Sequence, residues 1–178
     1  MAQNIKPFRD VSEHDVLNLF TYSGASLPVT KGTFVRISSG WSSTVDPNSI
    51  AGSPGFTYGN SLSPRWSVPA TVTSVSTWDE VPLGITLYDI REVDENGELL
   101  VFRPQKKDEM QCVLSGEAVP IVTKGMFLYS GVNGGAATGG SLAYSGPLNG
   151  LYTTGVNSVG KFLGPVDSNG CVLLKLDL

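Results

Sequence analysis

The chain has 178 residues, 40% of them hydrophobic, which is enough for one domain with a real core and too much for a disordered chain. Charged residues make up only 16%, against roughly 25% in an ordinary globular domain. The net charge of −4 and the pI near 4.9 argue against a nucleic-acid partner, which needs clustered Lys and Arg. No apolar run approaches the roughly 18 residues of a membrane helix, so no membrane association is expected.

The opening residues, Met1 to Pro7, hold no apolar stretch of the secretory kind, which predicts a protein made and used without export. Gly 21 and Pro 11, with abundant Ser, Thr and Asn, read as a turn-rich, all-β protein. Ser12, Glu13, His14 and Asp15 before Val16 resemble a helix cap, with Val11 stapled to Val16. An internal repeat places a strand over residues 15–20 instead, and the strand is preferred. Residues 1–27 then form either an N-terminal arm or a first strand.

The repeat begins at Val29-Thr30-Lys31-Gly32-Thr33-Phe34, which recurs as Val122-Thr123-Lys124-Gly125-Met126-Phe127. Val81-Pro82-Leu83-Gly84-Ile85 matches Asn157-Ser158-Val159-Gly160-Lys161 in the same order, and Glu95-Asn96-Gly97-Glu98-Leu99-Leu100 matches Ser168-Asn169-Gly170-Cys171-Val172-Leu173. Two similar β units follow, residues 28–109 and 110–178, in one compact domain, the first enlarged by an insert at 38–78. Each ends in an Asn-Gly turn, read as a two-residue type I′ hairpin. The final run from Cys171 supplies a closing strand.

Thirteen charged residues fall between Asp79 and Glu109, a stretch expected to be wet. Residues 38–77 carry only Asp46 and Arg65, and residues 125–160 carry none. These neutral segments, with Trp78 at the border of the first, hold Trp41, Phe56, Tyr58, Trp66, Trp78, Phe127, Tyr129, Tyr144 and Tyr152. Such a mixture suits contact with another protein, since no charge has to be desolvated. The alternative is that the segments lie over the protein's own core.

Enzymatic chemistry is hard to assemble from this chain. His14 is its single histidine, no nucleophile elbow or phosphate-binding loop occurs, and Asp94-Glu95 and Asp108-Glu109 sit beside turns where a raised carboxyl pKa is not expected. Asp94, Asn96 and Glu98 are spaced like part of a calcium loop, but the Asn-Gly turn explains them more simply. Cys112 and Cys171 lack zinc spacing and read as buried free thiols. The expectation is a non-enzyme without metal, cofactor or small-molecule substrate.

The strand-turn pieces at 29–35 and 118–128, the Val-Pro-Leu-Gly-Ile and Ser-Val-Gly-Lys-Phe-Leu pieces, and the closing Gly-Cys-Val-Leu-Leu-Lys-Leu resemble the capsid decoration, or cement, proteins of tailed bacteriophages. The resemblance spans most of residues 29–176 in weak patterns. It implies a β barrel or β-tulip that sits, usually as a homotrimer, on the outer capsid surface of the virion and bridges subunits of the major capsid protein. It also implies an N-terminal arm that adds a strand to that protein, here with Phe8, Val11, Val16, Leu17, Leu19 and Phe20 as anchors. The long insert departs from smaller family members. Trp41, Phe56, Tyr58, Trp66, Trp78, Tyr144 and Tyr152 are the candidate oligomer or partner contacts. Alternative readings are another virion part, such as a head fibre base or tail component, or a carbohydrate-binding module whose tryptophans stack on sugars.

Overall fold

A computed structural model describes residues 4–24, 26–40, 70–133, 135–147 and 150–178. The protein is mostly β-sheet with little helix. In chain order the strands are β1 (Asn4–Pro7), β2 (Val16–Leu17), β3 (Thr21–Tyr22), β4 (Phe34–Ser39), β5 (Thr71–Ser74), β6 (Gly84–Thr86) and β7 (Asp89–Ile90). A short helix, α1 (Pro104–Glu109), separates these from β8 (Cys112–Val113), β9 (Ile121–Val122), β10 (Lys124–Ser130), β11 (Val132–Asn133), β12 (Leu142–Ser145), β13 (Leu151–Tyr152), β14 (Ser158–Phe162) and β15 (Cys171–Asp177).

Seven strands form one sheet in the order β1, β10, β15, β14, β12, β13, β11, and six form a second in the order β2, β9, β6, β4, β5, β3. A third, two-stranded sheet pairs β7 with β8 in parallel. No closed barrel forms among the described residues. The layering follows from alternation along the strands. Phe127 and Tyr129 on β10 and Val172, Leu174 and Leu176 on β15 point inward, where they meet Phe34, Ile85 and Val122 of the six-stranded sheet. The opposite face of that second sheet presents Val35, Val72 and Ile121 to Ile90, Val113, Val119 and Val29. The second sheet is therefore buried on both faces, with β7 and β8 beyond it.

The helix-or-strand conflict at 12–20 resolves into both. Ser12 accepts a bond from the His14 backbone N–H and caps a single 3-10 turn at Glu13–Asp15. The turn stops there because Val16 and Leu17 pair with Val122 and Ile121. The N-terminal segment belongs to the chain's own sheets: β1 pairs antiparallel with β10, β2 with β9, and β3 runs parallel to β5.

The Asn-Gly turns are hairpin turns of a different type from the one expected. Type I′ needs positive φ at both central residues, but among the described non-glycine residues only Gln111 has one. Gly97 (φ +82°) and Gly170 (φ +77°) instead take the left-handed position after a type I turn. The two turns match bond for bond. Gly97 N–H donates to Asp94 O and Asp94 N–H to Glu98 O, while Gly170 N–H donates to Asp167 O and Asp167 N–H to Cys171 O. Asp94 Oδ1 accepts from the N–H groups of Asn96 and Glu98, at 2.7 and 2.8 Å, and Asp167 Oδ1 from those of Asn169 and Cys171, both at 2.8 Å.

Gly84 and Gly160, the middle pair of repeated glycines, also share a role. A Cβ on Gly84 would lie 2.5 Å from the Val122 carbonyl oxygen, and one on Gly160 would lie 2.0 Å from that of Lys175. The likeness between the halves is local, however. β4 is flanked by β5 and β6, whereas β10 is flanked by β1 and β15. After Gly97 the chain enters a 3-10 turn (Leu100–Phe102) and α1, while after Gly170 it enters β15. The expected last strand forms, and it lies inside the sheet, between β10 and β14.

Candidate functional site

The functional expectation rests on exposed apolar side chains. Of the six N-terminal anchors, Val11 packs against the first core, Leu17 and Phe20 against the second, and Val16 is half-buried. Only Phe8 (60% exposed) and Leu19 (58%) stand free for a partner. Phe8 immediately follows β1, an edge strand of the larger sheet whose second side has no partner among the described residues.

Of the aromatic contact candidates, Trp41, Phe56, Tyr58 and Trp66 lie outside the described residues. The other three come together. The rings of Trp78 and Tyr152 meet edge to face with centroids 4.6 Å apart, and a Cβ on Gly155 would touch both Tyr144 and Trp78. Asn157 Nδ2 donates to the carbonyls of Trp78 and Glu80, each at 3.0 Å, joining the end of the long insert to the second half. Tyr152 Oη donates to Pro147 O at 2.7 Å. Trp78 is 37% exposed, and Val81 and Val156 project into solvent on the same loops. Glu80 holds the approach to Trp78: its carboxylate accepts from the backbone N–H of Ser76 and Thr77 and lies 2.8 Å from Arg36 Nε. Burial alone would raise its pKa, but those N–H groups and the guanidinium win and lower it.

The neutral stretch 125–160 is divided: Phe127, Tyr129, Ala143, Leu151 and Val159 are fully buried in the core, while Leu142, Val156 and Ser158 are exposed. The charged stretch holds the opposite surprise. Within the run Leu99-Leu100-Val101-Phe102 only Leu100 turns inward; Leu99, Val101 and Phe102 are exposed, as is Val93, which bridges to Leu99. The expected wetness hid an apolar knob. The visible signal is an apolar run closed by Pro104: the proline opens α1, and the 3-10 turn before it buries a single residue.

Beneath that knob, Asp94 is a buried carboxylate. Its Oδ2 pairs with Lys106 Nζ of α1, and with the Glu98 and Asn96 N–H groups this holds its pKa at about 2. Lys107 pairs with Glu117, whose other oxygen accepts from the Leu114 N–H at 2.8 Å. Together these bonds fix α1 to the hairpin and to β8. His14 is exposed, and no group of three or more His, Cys, Asp or Glu is arranged to hold a metal ion among the described residues. Cys112 is buried, and burial pushes its thiol pKa up. Cys171 departs from expectation: it is half-exposed on the outward side of β15.

The outer face of the seven-stranded sheet carries a shallow groove of about 240 Å³ lined by Leu142, Ser158, Gly160, Lys161, Lys175 and Asp177. Leu142, Lys161 and Lys175 lie in one row across β12, β14 and β15. No family model, curated protein or solved structure matches this chain.

Proposed function

We propose that this protein is a structural, non-enzymatic virion component: a cement protein that binds the outer surface of a phage capsid as a homotrimer and stabilises the shell by bridging major capsid protein subunits. The observation that carries the reading is the placement of Phe8, a large apolar side chain standing in solvent at the end of an edge strand. A foreign strand can add to the part of β1 before Pro7, which has no N–H to donate, while Phe8 and Leu19 fill pockets of the partner. The segment would thus work as a sheet edge carried by the body and not as a detached arm.

The action would be mechanical. A bridge across several subunits has to break before they part, and a few kcal/mol per copy suffices when many copies act together. The same reading takes the two halves as copies of one β unit in a barrel-like or tulip-like body. The matched Asp-x-Asn-Gly turns and the crowded Gly84 and Gly160 support that descent.

Mixing the protein with undecorated expanded capsids and counting bound copies by sedimentation tests the proposal. Wild type is expected to saturate the shell, and Phe8→Asp with Leu19→Asp to lose binding while keeping its circular dichroism. Wild type failing to sediment with capsids would sink the reading. A carbohydrate-binding module is the second reading, favoured by the part-exposed Trp78 beside Tyr152. A glycan array with a Trp78→Ala control decides it.

A further inference from the structure

Two faces of the molecule are complementary and cannot meet within one copy. The knob formed by Val93, Leu99, Val101 and Phe102 belongs to the segment between β7 and β8, beyond the second core, and Phe102 is 78% exposed. Its surroundings are acidic. The cations Arg103, Lys106 and Lys107 are already committed to Glu98, Asp94 and Glu117, and the four carboxylates Glu92, Glu95, Asp108 and Glu109, which have no ion-pair partner among the described residues, outnumber the one uncommitted cation of the segment, Arg91. The groove on the outer face of the seven-stranded sheet lies on the opposite layer. It offers aliphatic Leu142 beside Lys161 and Lys175, neither of which forms an ion pair among the described residues, while the acidic Asp177 at its margin is paired with Lys124, and its volume of about 240 Å³ exceeds that of one aromatic ring.

We propose that the occupant of this groove is the knob of a second copy of the same chain, with Phe102 seated between Leu142 and the stems of Lys161 and Lys175 and the acidic rim facing the two ammonium groups. Lysine stems bury well against apolar rings, and an aromatic anchor inside a charged rim is the usual composition of a strong contact. Copies with net charge −4 repel one another, so opposed patches set the orientation in which they meet. The contact joins unlike faces and is head to tail; it closes into a ring, three copies included, where the rotation between neighbours divides a full turn. The inference rests on the proposed function only for the premise that copies associate, and it names the faces that do so.

Sedimentation velocity over rising concentration, at low and high salt, tests it without capsids. Wild type is expected to exceed the mass of one chain and to dissociate as salt screens the charges. Phe102→Asp, and separately Lys161→Glu with Lys175→Glu, should each weaken self-association about tenfold or more with unchanged circular dichroism. Mixed together, these variants should form a two-chain species, because the charge-reversed chain keeps an intact knob and the Phe102→Asp chain keeps an intact groove. Wild type remaining a single chain throughout would overturn the proposal, as would either variant associating like wild type or the mixture failing to pair. Wild type that stays a single chain and still binds capsids would overturn this contact and leave the capsid reading standing.

Discussion

The Tyr129 phenol donates a 2.9 Å hydrogen bond to the carbonyl of Gly32, inside the first core and across 97 positions of chain. It ties the strand of the second Thr-Lys-Gly piece to the turn of the first, and its ring lies 6.1 Å from that of Phe34. Tyr129→Phe keeps the ring and strands the carbonyl. The expected loss is about 1–3 kcal/mol in denaturant unfolding. Burial pushes the phenol well above its ordinary 10.0. The unfolded chain therefore ionises first, and this stability is intact below pH 10.0 and falls as pH rises beyond it. Alkaline titration should show that slope in wild type and not in Tyr129→Phe.

Four of the six repeated glycines are expected to differ by mechanism. Gly84→Ala and Gly160→Ala drive a Cβ into a neighbouring strand's carbonyl, and should cost about 3 kcal/mol or more or prevent folding. Gly97→Ala and Gly170→Ala meet nothing within 4 Å and bear only the left-handed backbone, about 1–2 kcal/mol. Thermal unfolding of the four variants checks the order.

Asp94→Asn should destabilise the protein at neutral pH, because Lys106 loses its counter-charge and the turn loses a carboxylate acceptor. The folded pKa is depressed from 3.8 to about 2, so the carboxylate's contribution is present above 3.8 and lost as pH falls towards about 2. The gap between wild type and Asp94→Asn in urea midpoint should shrink across that window. A constant gap would mean that the amide's shape, not its missing charge, matters.

The edge-to-face pair of Trp78 and Tyr152 should show a coupling of about 0.5–1.5 kcal/mol in a double-mutant cycle with alanine at each position. Additive losses would show that the two rings share a loop without stabilising one another.

Deleting residues 1–27 should unfold the protein. The deletion removes β1, β2 and β3 and exposes the edges of β9 and β10. A removable arm would leave the β spectrum intact.

Much of this architecture was legible in the residues. The Val-Thr-Lys-Gly pieces lead into β4 and β10, and the alternation in Cys171–Asp177 marks a strand with one buried face. The turn type was missed because Asn-Gly was weighed without the aspartate two positions earlier, whose Oδ1 favours a type I turn by accepting two N–H groups. The sheet order was not legible, since nothing local tells Cys171–Asp177 to insert between β10 and β14. Three of the aromatic candidates, Trp78, Tyr144 and Tyr152, do gather, but Phe102 escaped notice because its charged neighbours suggested solvent and not a contact.

The interior position of β15 bears on biosynthesis. Its neighbours β10 and β14 both leave the ribosome before it, so the larger sheet stays split into two halves until Cys171–Asp177 emerges. A nascent chain stalled before that segment shows two bare strand flanks at once. On this account, released chains truncated just short of Cys171 should be captured by chaperones or clump, and chains that include Cys171–Asp177 should not.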